Sequence, residues 1–196
     1  MPYYDDGLRV REARARYFRD NQFGEDGGYG KAWVEVALGP VPVFVPNTAA
    51  RVRAVRLHDL HHVATDYGTD LAGEAEIAAW EIASGCAGFA AAWVLNLYAL
   101  AIGLVVARER TWRAFVRGRR TGNLYHLGWR EGLLDDSVGA LRSKLGLESA
   151  DGSEPTARDR AGFAAWAGAS IALALATLAL LAAPLVLGAR ALLALL

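Results

Sequence analysis

His58-Asp59-Leu60-His61-His62, with Glu74 twelve residues beyond His62, is the stretch whose reading decides the fold. As a helix it sends the imidazoles of His58 and His62, at i and i+4, from one face about one turn apart. That is the spacing a metal ion needs to take two ligands from a single element. Asp59 falls at the edge of the same face. Asp66-Tyr67-Gly68-Thr69-Asp70 is rich in turn formers, so the chain reverses there and returns Glu74, at the head of the next apolar segment, to the histidines. His58, Asp59, His62 and Glu74 are therefore the expected ligands of a divalent metal. His61, i+3 from His58, is an alternative to His62 by spacing, and otherwise points elsewhere. Three of the chain's four histidines lie within these five residues, which scatter alone would rarely produce.

The flanks give this stretch a frame. Asn47-Thr48 is a good N-cap, and the helix should run from Ala49 to about Thr65. A second helix is expected from Glu74 to Ser84. Its Glu81, i+7 from Glu74, shares the ligand face two turns on, too far for a fourth ligand, and is read as lining a pocket or pairing with an arginine. Ala87 to Ala107 is nearly uncharged and long enough to cross a bilayer. It is read as the central core helix or the wall of a lipid pocket.

Upstream, Leu8 to Asp20 reads as a weakly amphipathic helix, and Phe23 to Gly30 as an acidic glycine-rich turn. No Lys-Ser/Thr follows that turn, which excludes a phosphate loop. Trp33 to Leu38 and Val41 to Val45 are β-prone and meet at Gly39-Pro40, predicting a short hairpin. Pro40, Pro42 and Pro46 confine it to an edge or flap.

Downstream, Arg108, Arg110, Arg113, Arg117, Arg119 and Arg120 interleave with Trp112 and Phe115, as in a basic amphipathic segment beside a membrane. A helix is expected from about Leu133 to Lys144. Residues 148–157 form a linker. Phe163 to Leu187 then carries no charge and is long enough for a tilted transmembrane helix, with Pro184 near its end and a re-entrant hairpin broken there as the lesser alternative. The expected fold is all-α: a mainly helical metal-binding domain over 1–147 with a short N-terminal β-hairpin, and a C-terminal transmembrane anchor over 158–196.

Composition narrows the function. Lys+Arg and Asp+Glu balance at 21 each in 196 residues, so no basic field recommends nucleic acid as a partner. A single cysteine, Cys86, excludes an internal disulfide. Met-Pro-Tyr-Tyr-Asp-Asp shows neither a basic nor an apolar leader region, so no signal or transit peptide is expected. Arg158 and Arg160 before the apolar run place the domain on the cytoplasmic side of a bacterial-type inner membrane, in preference to a mitochondrial inner membrane.

His-Asp-x-x-His, eleven residues, then Glu resembles the signature of the Coq-four family of ubiquinone biosynthesis proteins. Gly73-Glu74, Trp80-Glu81 and Gly85 resemble the family's continuation of that helix. Gly118-Arg119-Arg120, Asn123-Leu124-Tyr125 and Leu141 to Leu147 resemble its closing segment. The likeness covers roughly residues 48 to 147. It implies that the segments from Glu74 and from Gly118 pack into one domain on one side of a membrane, which is why Ala87 to Ala107 is read as lying within that domain. It also implies zinc on His58, Asp59, His62 and Glu74, and a polyprenylated quinone precursor as substrate. The implied reaction is oxidative removal of the ring carboxyl at C1 of a polyprenyl-hydroxybenzoate. Zinc has no redox states, so iron or manganese would suit that step better, and the mixed ligand set accepts all three. Asp59 and His61 are the expected proton carriers, and Arg117, Arg119 and Arg120, with Glu81, the expected substrate contacts. Membrane lipid, other quinone-biosynthesis proteins and a second copy of the chain are the expected partners. Two alternatives remain: a lipid-binding scaffold with a structural metal, and a membrane metallohydrolase in which Asp59 acts as base and Glu74 as third ligand, by likeness to His-Glu-x-x-His helices.

Overall fold

The helix that carries the histidines, α2 (Ala49–Thr65), starts and stops for local reasons. Thr48 Oγ1 accepts from the Arg51 amide (3.2 Å) at its head. At its tail Asp66 turns left-handed, with φ 61°, and its amide returns to the His62 carbonyl. Arg142 reaches in from a later helix to bond the Ala64 carbonyl (3.0 Å), the Tyr4 carbonyl (2.9 Å) and Asp66 (2.7 Å), and so satisfies polar groups buried at that end. The next helix, α3 (Leu71–Ser84), begins on Asp70, whose carboxylate accepts from the Gly73 amide (2.9 Å). The reversal between them is tight: a Cβ on Gly73 would lie 2.2 Å from the Gly68 carbonyl oxygen. Only glycine fits there, and it brings the following residue, Glu74, back against α2.

The computed structural model describes residues 3–37, 42–149 and 154–193. Around the α2–α3 pair the order is α1 (Val10–Asp20), an antiparallel hairpin of β1 (Trp33–Ala37) and β2 (Pro42–Pro46), then α4 (Ala90–Val106), α5 (Arg108–Gly118), α6 (Leu124–Leu127), α7 (Val138–Leu145) and α8 (Ala157–Leu193). Trp33 pairs with Pro46 and Ala37 with Pro42. The Gly39-Pro40 turn lies outside the described residues. The architecture is all-α with one short hairpin, as expected.

The core forms where α3 packs between α4 and α5. Trp80, Ile77, Leu57, Leu60, Leu100 and Phe115 are all but fully enclosed. A Cβ on Gly118 would lie 2.4 Å from the Trp80 carbonyl oxygen, so the crossing of α3 and α5 is close enough to require glycine. A smaller cluster of Tyr4, Tyr17, Phe18, Val63 and Val138 packs α1 on the far side of α2.

One expectation changes, and two alternatives fall. The helix expected from Leu133 to Lys144 is broken into a 3-10 turn (Glu131–Leu134) and α7, because Ser137 caps α7 by accepting from the Ala140 amide. The N-terminal segment also pairs across that break, with Val10 N–H to Asp136 O and Val138 N–H to Leu8 O. Next, α4 is not a central core helix. Ala92, Asn96, Leu100 and Gly103 are its buried residues, while Val94, Val105 and Val106 are exposed. Lastly, α8 runs on through Pro184, so no hairpin breaks there.

Ala157–Pro184 of α8 is long and apolar enough to cross a membrane, and Leu175, Leu178, Leu180 and Leu181 are exposed. Its first half is nonetheless docked. Trp166 stacks on Trp93 (5.1 Å), Phe163 contacts Trp112 and Phe115 (5.1 and 5.3 Å), and Thr177 shares a 2.6 Å hydrogen bond with Tyr98. Four positions of the linker, 150–153, lie outside the described residues.

Candidate metal centre

Each histidine on α2 is committed by what its Nδ1 touches. His62 Nδ1 lies 2.9 Å from the Tyr67 carbonyl oxygen. A carbonyl only accepts, so Nδ1 carries the hydrogen and Nε2 keeps its lone pair. His58 Nδ1 lies 2.9 Å from Glu81 Oε1, with the same consequence. The two Nε2 atoms then face each other at 3.1 Å. Glu74 closes the group, its carboxylate 3.6 Å from His58 Nε2 and 3.5 Å from His62 Nε2. Metal–nitrogen and metal–oxygen bonds of about 2.0–2.2 Å in tetrahedral array separate ligand atoms by roughly 3.3–3.5 Å. His58, His62 and Glu74 match that spacing and are the one such group among the described residues. Two converging lone pairs beside a carboxylate demand a cation or a shared proton. Accordingly, although burial opposes charge on the His58 ring, Glu81 and Glu74 raise its pKa well above the usual histidine value. Burial lowers that of His62.

Glu81 is the organiser of this wall. It is fully enclosed and accepts from His58, His61 Nδ1 (2.6 Å), Asn96 Nδ2 (2.5 Å) and Tyr125 Oη (3.0 Å). Burial pushes its pKa up, but His58 and His61 outweigh that and hold it far below the carboxylate range. A carboxylate that fixes the tautomer and tilt of a ligand histidine is a recurrent support of metal sites. Glu81 is thus neither the partner of an arginine nor on the cavity wall. The i+7 spacing from Glu74 was the visible signal, but not which residues would reach it.

His61, expected to move protons, is fully enclosed between Trp80 and Tyr125. Its Nδ1 bonds Glu81 and its Nε2 accepts from the Leu124 amide (2.9 Å), so neither nitrogen is free and it does not face the cavity. Asp59 lines the cavity beside His58 and Glu74 but stands outside the three-ligand group. Its Oδ2 accepts a short hydrogen bond from Tyr29 Oη. Burial pushes its pKa up to about 6, against the lowering by His58 and Tyr29. Of the four expected ligands, His58, His62 and Glu74 therefore converge, and Asp59 is an acid on the adjoining wall.

The expected substrate arginines are engaged elsewhere. Arg117 bonds the Thr65 carbonyl (3.2 Å) and lies over Tyr67. Arg119 and Arg120 approach Asp159 of α8 at 3.7 and 3.2 Å. None of them lines the cavity, whereas Arg51 does.

That cavity, about 720 Å³, has two unlike sides. His58, Asp59, Glu74 and Arg51 stand on one. Ala91, Leu95, Ala99 and Ile102 of α4 form the other, and the hairpin residues Trp33 and Phe44, both more than half exposed, complete the rim. The hairpin thus borders the cavity, and as a two-stranded sheet it is all edge, one of the two readings that its prolines allowed. Neither a family model, nor a curated protein, nor a solved structure matches this chain.

Proposed function

We propose that this protein is a membrane-anchored metal-dependent enzyme acting on an amphipathic, apolar-tailed substrate. The observation that carries the reading is the convergence of His58 Nε2, His62 Nε2 and the Glu74 carboxylate on a cavity whose facing wall is hydrocarbon from α4. Three protein ligands leave a coordination position for substrate or water, the pattern of catalytic centres. A bound metal would supply a Lewis acid for an oxygen of the substrate. Glu81 and the Tyr67 carbonyl hold the two rings in register, and Asp59, paired with Tyr29, is placed to hold or deliver a proton beside the ligand cluster. The α4 wall and the hairpin rim exclude water and receive the tail.

The docking of α8 on α4 supports the membrane setting, because the helix able to enter a bilayer is held against the wall of the cavity. Arg158 and Arg160 ahead of the apolar run favour a cytoplasmic-side domain on a bacterial-type inner membrane. The finer identity rests on the resemblance to the Coq-four family, carried by His58, Asp59, His62 and Glu74: removal of the ring carboxyl from a polyprenyl-hydroxybenzoate. The net change releases carbon dioxide and leaves a hydroxyl, a two-electron oxidation that needs an external oxidant such as dioxygen.

The test is metal content, by mass spectrometry, of the full chain purified in detergent, with extraction of its bound lipid. One equivalent of zinc, iron or manganese together with a prenylated aromatic acid is the expected result. Protein that neither retains nor takes up a stoichiometric transition metal would overturn the enzyme reading, and metal with only bulk phospholipid would overturn the quinone-precursor identity.

A further inference from the structure

Arg51 precedes His58 by seven residues on α2, two turns along the same face. Helix rise therefore separates the two positions by about 10 Å. Its side chain is half-buried in the cavity wall and is positioned with care. Nη1 donates to Asn47 Oδ1 (2.8 Å). Asn47 in turn cannot rotate, because its Nδ2 is held by the carbonyls of Gly28, Tyr29 and Lys31 (3.0, 3.2 and 2.8 Å). The glycine-rich loop and the N-cap of α2 thus clamp one edge of the guanidinium. The other edge is left over. The buried Nε–H has no hydrogen-bond partner, and Arg51 makes no ion pair with a carboxylate, among the described residues. Lys31, joined to the same clamp through its carbonyl, also lines the cavity.

Burying an N–H of a cation without an acceptor is costly, and the cost is recovered when an anion arrives. With Nη1 taken by Asn47, Nε and Nη2 remain as the side-on pair of donors that fits the two oxygens of a carboxylate or phosphate. We propose that Arg51 is the anion-recognition residue of this cavity. The ligand carries a carboxylate or phosphate at the Arg51 end, an apolar body against α4, and a second polar group toward His58, His62 and Glu74. This deepens, and rests on, the reading of the cavity as a substrate site.

The probes are dodecyl phosphate, dodecanoate and dodecyltrimethylammonium, titrated into the zinc-loaded full chain in nanodiscs of neutral phosphatidylcholine. Both anionic probes are expected to bind and the cationic one not. Arg51→Gln should weaken anionic binding by about 10- to 100-fold with zinc content unchanged, the loss of a charge-assisted pair. Arg51→Lys, which keeps the charge without the fork, should fall between, and guards against a folding defect of the glutamine variant. Glu74→Gln should lose zinc yet keep anionic binding within about threefold, which separates Arg51 from the ligand cluster. The phosphate-to-carboxylate preference then names the head group. Equal anionic affinity in wild type and Arg51→Gln, or equal affinity for the cationic probe, overturns the proposal. Wild-type protein that binds anions through Arg51 but takes up no zinc overturns the metal reading alone.

Discussion

The two walls of the cavity are built on opposite physical principles. On the α2–α3 side, enclosed polar groups hold one another around a single carboxylate, leaving the Arg51 Nε–H over: Glu81 alone joins His58, His61, Asn96 and Tyr125. On the α4 side the wall is mostly small and branched hydrocarbon, with Asn96 its polar member, tied by its amide to Glu81. The first wall is rigid because a buried polar network is satisfied in one arrangement only. The second tolerates changes in shape, because dispersion and burial carry no direction. A metal site needs the first kind of wall and an apolar tail needs the second, so substitutions on the two sides should fail differently.

The largest effect is expected at Glu81. Glu81→Ala strands the four donors that its carboxylate holds and leaves a cavity. Breaking such a network costs about 3–5 kcal/mol, read as a lower urea midpoint together with loss of metal. Glu81→Gln keeps the volume and should cost less, since only the charge and one acceptor are lost. If Glu81→Ala unfolds at the wild-type midpoint, the polar wall is not the rigid one.

Next in size is the contrast within one helical turn. His62→Ala should weaken zinc binding by about 100-fold or more while the fold survives, because it removes a ligand. His61→Ala should do the reverse: destabilise by about 2–3 kcal/mol, the cost of leaving the Leu124 amide unpaired in the core and taking one of four donors from Glu81, and leave zinc stoichiometry intact. Titration with a chelator, set beside thermal unfolding, separates the two. Zinc lost equally in both variants would mean that the tautomer argument for His61 fails.

That contrast also shows where sequence reading reaches its limit. The extent of α2 was legible because its cap, Asn47-Thr48, and its stop at Asp66 are local. His58, His62 and Glu74 were legible because i, i+4 spacing and a turn determine who can meet. His61 was misread because its second nitrogen is taken by Leu124, sixty-three positions away. The arginines were misassigned for the same reason. Nothing near Arg119 or Arg120 announces that Asp159 will engage them, nor does anything near Arg51 announce that no carboxylate will. The start of α7 was missed because apolar periodicity runs across Ser137, and only pairing with the N-terminal segment breaks it.

On the apolar wall, Ala99→Trp should fill the cavity from the α4 side. The expected stability change is within about 1–2 kcal/mol, since the added ring occupies space already open, and metal content should not change. Capture of a dodecyl-chain probe should fall by at least tenfold. A variant that keeps the probe but loses zinc would show that the two walls are not independent.

The smallest effect lies behind that wall, where α8 is fastened. Asp159 accepts from the Thr156 amide (2.9 Å) and hydroxyl (2.8 Å), while Thr156 Oγ1 accepts from the Asp159 amide, a reciprocal cap joined by Arg119 and Arg120. Asp159→Asn should loosen the start of α8 by about 1 kcal/mol, a typical cap contribution. Faster proteolysis of the segment preceding α8 would report it. If wild type and variant are cut at the same rate at pH 7, then α8 is held by Trp166 and Thr177 on α4 and Phe163 on α5, and the apolar wall keeps its backing without any charge.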